Sequence, residues 1–291
     1  MRLIDIGVNL MSPAYNMDRE AAVQSAFNAG VSPLVITGVT AAESSRALSY
    51  ARNWNTRSTA QDPAGVLPSG RLYTTAGVHP HDAKSCNGGT IADLTALAGD
   101  RLVLAIGECG LDYNRNFSPQ PVQREWFEKQ IELAADLSLP LFLHERDAFT
   151  DFSLILERHR DSIKAMVVHC FTGGERELEK YLSLGAYIGL TGWVCDERRG
   201  SHLLPLLKMI PSDRLLLETD APFLFPRNLS RQDTQPPPGP GGSRFRGGRN
   251  EPRFLPHIAC FIAAHLGKDT EVLCREAYEN TCRFFGRDFE E

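Results

Sequence analysis

Val103-Leu-Ala-Ile-Gly107-Glu108, the stretch Gln123–Leu137 and Leu141-Phe-Leu-His144 together decide how this chain folds. The first and last are short apolar runs, one ending on an acid and the other on an imidazole. Between them apolar residues recur at three- and four-residue intervals, the spacing of an amphipathic helix. This is a βαβ unit. Strands that are continuously apolar rather than alternating belong to a parallel sheet covered on both faces.

The same unit repeats in both directions. Strands are predicted at Leu3–Val8, Leu34–Thr37, Leu72–Gly77, Val103–Gly107, Leu141–Leu143, Ala165–Val168, Tyr187–Leu190 and Leu215–Glu218. Helices are predicted at Arg19–Ala29, Ala41–Trp54, Ile91–Leu97, Gln123–Leu137, Phe149–Arg160, Glu175–Leu184 and His202–Met209. Eight such units can close on themselves, so the predicted fold class is α/β, a (β/α)8 TIM barrel. Two more helices, Phe254–Leu266 and Thr270–Phe285, are expected to pack across the outside of the barrel.

At 291 residues a single barrel domain spanning 1–291 is expected. Asn55–Arg71 is expected to be an insertion before the third strand. The Pro- and Gly-rich stretch at about 233–249 cannot sustain a helix or a central strand and is expected to be a mobile loop.

With 42% hydrophobic and 23% charged residues the chain can bury a substantial core. Its formal charge of -5 provides no global basic field for a polyanion, so a nucleic-acid ligand needs a local patch or metal ions. Seven cysteines without paired spacing give neither a disulfide framework nor a zinc knuckle, and a reducing cytoplasm fits best. No signal peptide or membrane span is read from the sequence.

In such barrels the C-terminal strand ends face the pocket. The polar residues there are Asn9 after the first strand, His79 and His81 after the third, Glu108 after the fourth, His144 after the fifth, His169 after the sixth and Asp220 after the eighth. A lone histidine at such a place is ordinarily a hydrogen-bonded cap. Two imidazoles and two carboxylates converging from four strands are different, because ionised carboxylates beside a low-dielectric core are costly without a cation. Glu108, His144, His169 and Asp220 are therefore the candidate metal ligands, with Glu108 and Asp220 as the catalytic carboxylates and Asp220 free to act as base or hold a second ion. Nitrogen and oxygen donors of this kind suit zinc, manganese or magnesium and do not choose among them.

Asp5-Ile-Gly-Val-Asn9-Leu, Thr75-Ala-Gly-Val-His79-Pro-His81, Ala105-Ile-Gly-Glu108-Cys-Gly-Leu-Asp112-Tyr-Asn-Arg115, His169-Cys-Phe-Thr-Gly and Glu218-Thr-Asp220-Ala-Pro-Phe resemble the motifs of the TatD family of amidohydrolase-like metallo-hydrolases. Gly-Leu-Thr-Gly-Trp193-Val-Cys and Arg249-Asn-Glu-Pro add to the resemblance, which runs from end to end. It implies a magnesium-dependent nuclease, a 3′→5′ exonuclease that prefers single-stranded DNA, accepts RNA and serves DNA repair. By the same resemblance Glu108, His144 and His169 match metal ligands and Asp220 matches the carboxylate that binds another ion or activates water. His79 and Arg115 fall where family members contact the scissile phosphate.

One departure matters. Most relatives carry His-x-His at the first strand end, where this chain has Gly7-Val-Asn9. Glycine coordinates nothing and an amide oxygen is a weak, neutral ligand, so one firm metal site is expected, with a second that fills only with substrate or at high metal concentration. Mg2+ is the expected ion, with Mn2+ or Zn2+ compatible.

Around this centre, Asn9 and Trp193 are candidate substrate contacts, and Tyr113, Phe117 and Phe171 are either base-stacking platforms or core. Arg198, Arg199, Arg227, Arg244, Arg246 and Arg249 could supply the local positive field, or simply solvate loops. Glu145 is expected to pair with Arg146 or Arg115 rather than bind metal, and Cys109, Cys170 and Cys195 to be small buried fillers. A monomer acting on DNA, and on RNA, away from any membrane is the expectation. The alternative is an ester or amide hydrolase on the same barrel, such as an aminoacyl-tRNA deacylase, and a third reading is a non-catalytic scaffold.

Overall fold

The computed structural model describes residues 2–59, 70–230 and 248–289. Among them eight parallel strands form one sheet in sequence order: β1 (Leu3–Val8), β2 (Val31–Ile36), β3 (Leu72–Ala76), β4 (Val103–Asp112), β5 (Leu141–Arg146), β6 (Met166–Val168), β7 (Tyr187–Leu190) and β8 (Leu215–Leu217). Between them run α1 (Arg19–Asn28), α2 (Ala41–Thr59), α3 (Thr90–Ala98), α4 (Gln120–Asp136), α5 (Phe149–Arg158), α6 (Glu175–Ser183) and α7 (Leu203–Leu206). The chain ends on α8 (Leu255–Leu266) and α9 (Thr270–Phe285). This is the expected (β/α)8 barrel.

Closure occurs between β8 and β1. Asp220 donates its N–H to Gly7 O at 2.9 Å, and Asn9 donates to Ala221 O at 2.7 Å. Below them the buried Asp5 carboxylate takes the Thr219 N–H at 2.9 Å and the Thr219 hydroxyl, so a side chain completes the seam. Burial pushes the Asp5 carboxyl up to about 8, against its hydrogen bonds from Thr219.

A folded-state value above the unfolded one stabilises the fold fully only below the unfolded value, and the contribution drains away as pH rises toward 8. Asp5→Asn, which keeps the shape without the titration, is therefore expected to gain on the wild type by up to about 1.4 kcal/mol per pH unit between pH 5 and 8. Urea unfolding of both proteins across that range measures it. Parallel curves would contradict it.

Side chains alternate across the strands, which sorts the core into two layers. Leu3, Val8, Leu34 and Ile36 meet the helices in the larger one. Ile4, Ile6, Val35, Leu104, Phe142 and Leu216 fill the barrel interior. Phe284 and Phe285 at the end of α9, with Phe289, join that interior cluster, and the Asn280 amide ties α9 to Ser212 O and Leu215 O at 2.8 and 2.9 Å. The C-terminal helix thus packs into the interior cluster instead of only crossing the outside, because its last turn presents large aromatic rings to an open barrel end.

Two strands run further than predicted. β4 continues to Asp112 and β5 to Arg146, which places Glu108 and His144 inside strands. Gly107 and Gly110 make this possible, with φ of +141° and +142° that side chains rarely adopt. α2 continues to Thr59, so the start of the expected Asn55–Arg71 insertion is helical, and the Asn55 amide brackets the Leu72 backbone with bonds of 2.8 and 2.9 Å. Residues 60–69 and the expected mobile loop at 233–249, up to residue 247, lie outside the described residues. No helix among the described residues is long and apolar enough to cross a membrane.

Candidate active site

At the C-terminal end of the strands a cavity of about 420 Å3 is lined by Asn9, His79, Glu108, His144, His169 and Asp220 among others. Its centre is one oxygen. Glu108 Oε1 lies 2.8 Å from His144 Nδ1, 2.8 Å from His169 Nε2 and 3.3 Å from His79 Nε2. Burial opposes the charge on Glu108, yet the imidazoles of His169 and His79 and the bonds from His144 and His169 hold it well below the usual carboxylate range. Burial likewise opposes a charged His169, and Glu108 and Glu218 outweigh it, raising that imidazole well above its ordinary value.

Asp220 lines the same cavity, its Oδ1 held by the Asn9 amide at 2.8 Å. Burial, with Glu108 and Glu218 adding to it and His169 opposing, pushes its carboxyl up to about 7. Asp220 and Cys170 occupy the left-handed region, with φ of +53° and +47°, at the turns that follow β8 and β6. Non-glycine residues hold such conformations at a cost of about 1–3 kcal/mol, and they concentrate at functional sites.

These residues fit a divalent cation. Three imidazole nitrogens crowd one carboxylate oxygen, more than its lone pairs can serve, and the buried His144 Nε2 makes no hydrogen bond, with Asp112 Oδ2 3.5 Å away. Imidazole and carboxylate donors of His79, Glu108 and His144 all lie within 4.8 Å of one another. That compact group differs from the set expected from sequence, since it takes His79 in place of His169 and Asp220. Both sets share Glu108 and His144.

Several other residues lie elsewhere than expected. The Arg115 side chain is exposed and outside the cavity lining, while its backbone N–H caps Asp112 Oδ1 at 2.8 Å. Arg146, expected only as a partner for Glu145, lines the cavity with its guanidinium 5.8 Å from the Trp193 ring. Trp193 is half-buried in the lining and also carries Arg199 at 4.4 Å. Glu145 pairs with neither arginine; it accepts from Ala148 N–H at 2.8 Å and the Tyr181 hydroxyl at 2.9 Å. The Tyr113 hydroxyl is engaged by Asp151 and Arg124, and Phe171 is core, whereas Phe117 is 55% exposed with its edge against His81.

Arg198, Arg199 and Arg227 gather around the carboxylate of Asp196, at 3.5, 2.9 and 3.9 Å. Arg249 is instead held by Asp18 and Glu251, and Arg244 and Arg246 lie outside the described residues. Cys109 and Cys195 are buried; Cys170 lines the cavity half-buried, its thiol pushed up by burial and by Asp220 and Glu218.

Two carboxylates that the strand-end rule does not single out also meet the site histidines. Asp112 holds His81 Nε2 at 2.7 Å, and burial of its charge is outweighed by the imidazoles of His144 and His81, which keep it well below the usual range. Its signal was the even spacing Glu108, Gly110, Asp112, one face of a longer strand. Glu218, fully buried, takes the Cys170 N–H at 2.6 Å and faces His169 Nδ1 at 3.3 Å.

Comparison with known proteins gives the family and the fold. The model of the TatD related DNase family matches residues 4–286. The 3′-5′ ssDNA/RNA exonuclease TatD of Erwinia amylovora is 48% identical over 98% of this chain and 100% of its own length, and that of Escherichia coli K12 is 42% identical over 99% and 100%. Among solved structures, the hydrolase TatD family protein of Entamoeba histolytica is 26% identical with a TM-score of 0.82, covering 98% of each chain. The phosphotriesterase homology protein of Escherichia coli shares the fold alone, at 11% identity and a TM-score of 0.59 over 98% of each chain. The chain belongs to the TatD related DNase family.

Proposed function

We propose that this chain is a metal-dependent nuclease that removes nucleotides from the 3′ end of single-stranded DNA and RNA. The observation that carries the proposal is the convergence of His144 Nδ1 and His169 Nε2 on Glu108 Oε1, with Asp220 in the same cavity. Relatives 42–48% identical over nearly the whole chain, named as such exonucleases, support the substrate and the polarity. The repair role rests on the resemblance.

Glu108, His144 and His169 would hold the cation, Mg2+ by the expectation above, with Mn2+ or Zn2+ compatible. Bound there, a divalent ion acidifies water and withdraws charge from a phosphoryl oxygen. Asp220 is the base: Asn9 occupies its Oδ1, leaving Oδ2 for the proton of the attacking water, and a carboxyl raised toward neutrality suits that task.

His79 has a different part. Its Nδ1 accepts the His81 N–H at 3.0 Å, and burial pushes the imidazole down to about 4, so the neutral ring carries its proton on Nε2. That nitrogen offers a donor to a phosphate oxygen and no lone pair to a metal, which favours His169 over His79 as the third ligand. A 5′-labelled single-stranded oligonucleotide with Mg2+ tests the function: stepwise shortening from the 3′ end is expected. Intact DNA together with turnover of a carboxyl ester would replace this reading with the ester hydrolase.

Single-strand preference has a structural counterpart in Phe117 and Phe223, each 55% exposed. Phe223 lines the cavity, and the Phe117 ring stands 4.7 Å from that of His81, which also lines it. Unpaired bases can stack on such rings, each stack being worth about 1–3 kcal/mol. Phe223→Ala is expected to raise KM for single-stranded DNA about 5- to 150-fold with a smaller change in kcat. Steady-state kinetics check this, and an unaltered KM would remove Phe223 from the binding surface.

A further inference from the structure

We infer that Glu218 is a positioning residue that fixes the tautomer and orientation of His169, and thereby governs how tightly the site holds its cation. The inference rests on the metal-dependent reading above. Glu218 follows directly on β8, and the strands on either side of that stave both lack a side chain where its carboxylate lies. A Cβ on Gly7 in β1 would come 2.5 Å from Oε2, and a Cβ on Gly189 in β7 would come 2.5 Å from Oε1. The two glycines form a cradle that the carboxylate fills completely.

Each oxygen then meets one partner. A backbone N–H can only donate, so Oε1, 2.6 Å from Cys170 N, must accept, and this bond keeps the group from turning. Oε2 faces His169 Nδ1 at 3.3 Å and is also an acceptor, which places a proton on Nδ1. Nε2 faces an acceptor as well, Glu108 Oε1 at 2.8 Å, so without a cation the ring holds a proton on each nitrogen. A cation held by Glu108 would displace the Nε2 proton and take that lone pair, while Glu218 keeps the other proton on Nδ1. A ring nitrogen binds a cation only through such a lone pair, and the contact made by the other nitrogen selects it.

His79 shows the same logic reversed. A donor at its Nδ1 puts the proton on Nε2, which approaches the same Glu108 oxygen at 3.3 Å. Contacts outside the centre thus leave His169 able to give a cation its Nε2 lone pair and His79 able to offer only a proton. In Glu218→Gln the amide oxygen would stay on the Cys170 N–H and the amide nitrogen would face Nδ1, forcing the His169 proton onto Nε2. Gly7→Ala would reach a similar end sterically, by displacing Oε2.

The test is a titration of the full-length protein and both variants with Mn2+, followed by electron paramagnetic resonance. A loss of about 10–100-fold in Mn2+ affinity is expected in each variant, with activity recovering as Mn2+ is raised. Unchanged affinity in Glu218→Gln overturns the inference. If the variants fail to fold, two-bond 1H–15N correlations of Zn2+-loaded wild type decide it: His169 protonated at Nδ1 and bare at Nε2 supports the inference, and the opposite tautomer overturns it. A wild type that binds no Mn2+ would instead sink the metal-dependent reading itself, a result distinct from equal binding by wild type and variant.

Discussion

Glu108→Gln is expected to lower nuclease activity by about 10^3-fold or more while leaving the metal-free fold nearly as stable as before. The activity loss follows from the place of Oε1, the one atom on which His144, His169 and His79 all converge. Even an outer partner of a metal ligand is worth about 10–100-fold, and Glu108 is proposed as a ligand itself. Stability should behave differently. Removing one member of a buried ion pair ordinarily costs about 3–5 kcal/mol, because the partner is left charged and alone. Here the partners are imidazoles, which can shed their protons, and His169 keeps Glu218. The glutamine oxygen can still accept from two rings. A fall in Tm of less than about 4 °C is expected in chelator, together with loss of the rise in Tm that Mg2+ or Mn2+ produces in the wild type. Full activity in the variant would mean that the site has been assigned to the wrong residues.

Much of this centre is legible in the chain before any fold is known, for a definite reason. In a parallel barrel an apolar run ends at the rim, so a polar residue directly after the run lands at the pocket wherever the strand sits. Asn9, His79, His169 and Asp220 needed only that rule. Glu108 and His144 needed it too, although both strands in fact continue beyond them. Asp112 escapes that rule because glycine ordinarily ends a strand, whereas here glycine lets β4 continue against β5.

Other features depend on contacts between distant segments. Glu218 stood at an expected strand end, but its direction is set by the absent side chains of Gly7 and Gly189, far away in sequence. Arg115 sits in a matching motif, yet the turn after Asp112 leaves its side chain exposed, and the cavity receives Arg146 instead. The amphipathic pattern of the last helix shows that one face is buried without showing where. Only the assembled barrel shows Phe284 and Phe285 joining its interior.

Gly110→Ala is expected to be among the most damaging single-methyl changes in the described chain, because it strikes the fold and the site through one contact. At φ of +142° an added Cβ would lie 1.9 Å from His144 O and 3.1 Å from His144 N. Both are backbone atoms, with no side chain to swing aside. The pairing of Gly110 with His144 is one rung of the β4–β5 ladder, flanked by Cys109 with Leu143 and Leu111 with Glu145. To make room the two strands must separate where Glu108 and His144 have to stay 2.8 Å apart.

Strained backbone and a broken ladder in a buried sheet together should cost about 4 kcal/mol or more, in the range reserved for named structural faults. Urea unfolding is expected to show that loss, and whatever folded fraction remains should bind Mn2+ more weakly than wild type. Gly88→Ala is the control: nothing lies within 4 Å of its added Cβ, and it should change stability by no more than about 1 kcal/mol. If Gly110→Ala matched that control in stability and activity, β4 and β5 could not be packed as closely as the convergence of Glu108 and His144 requires.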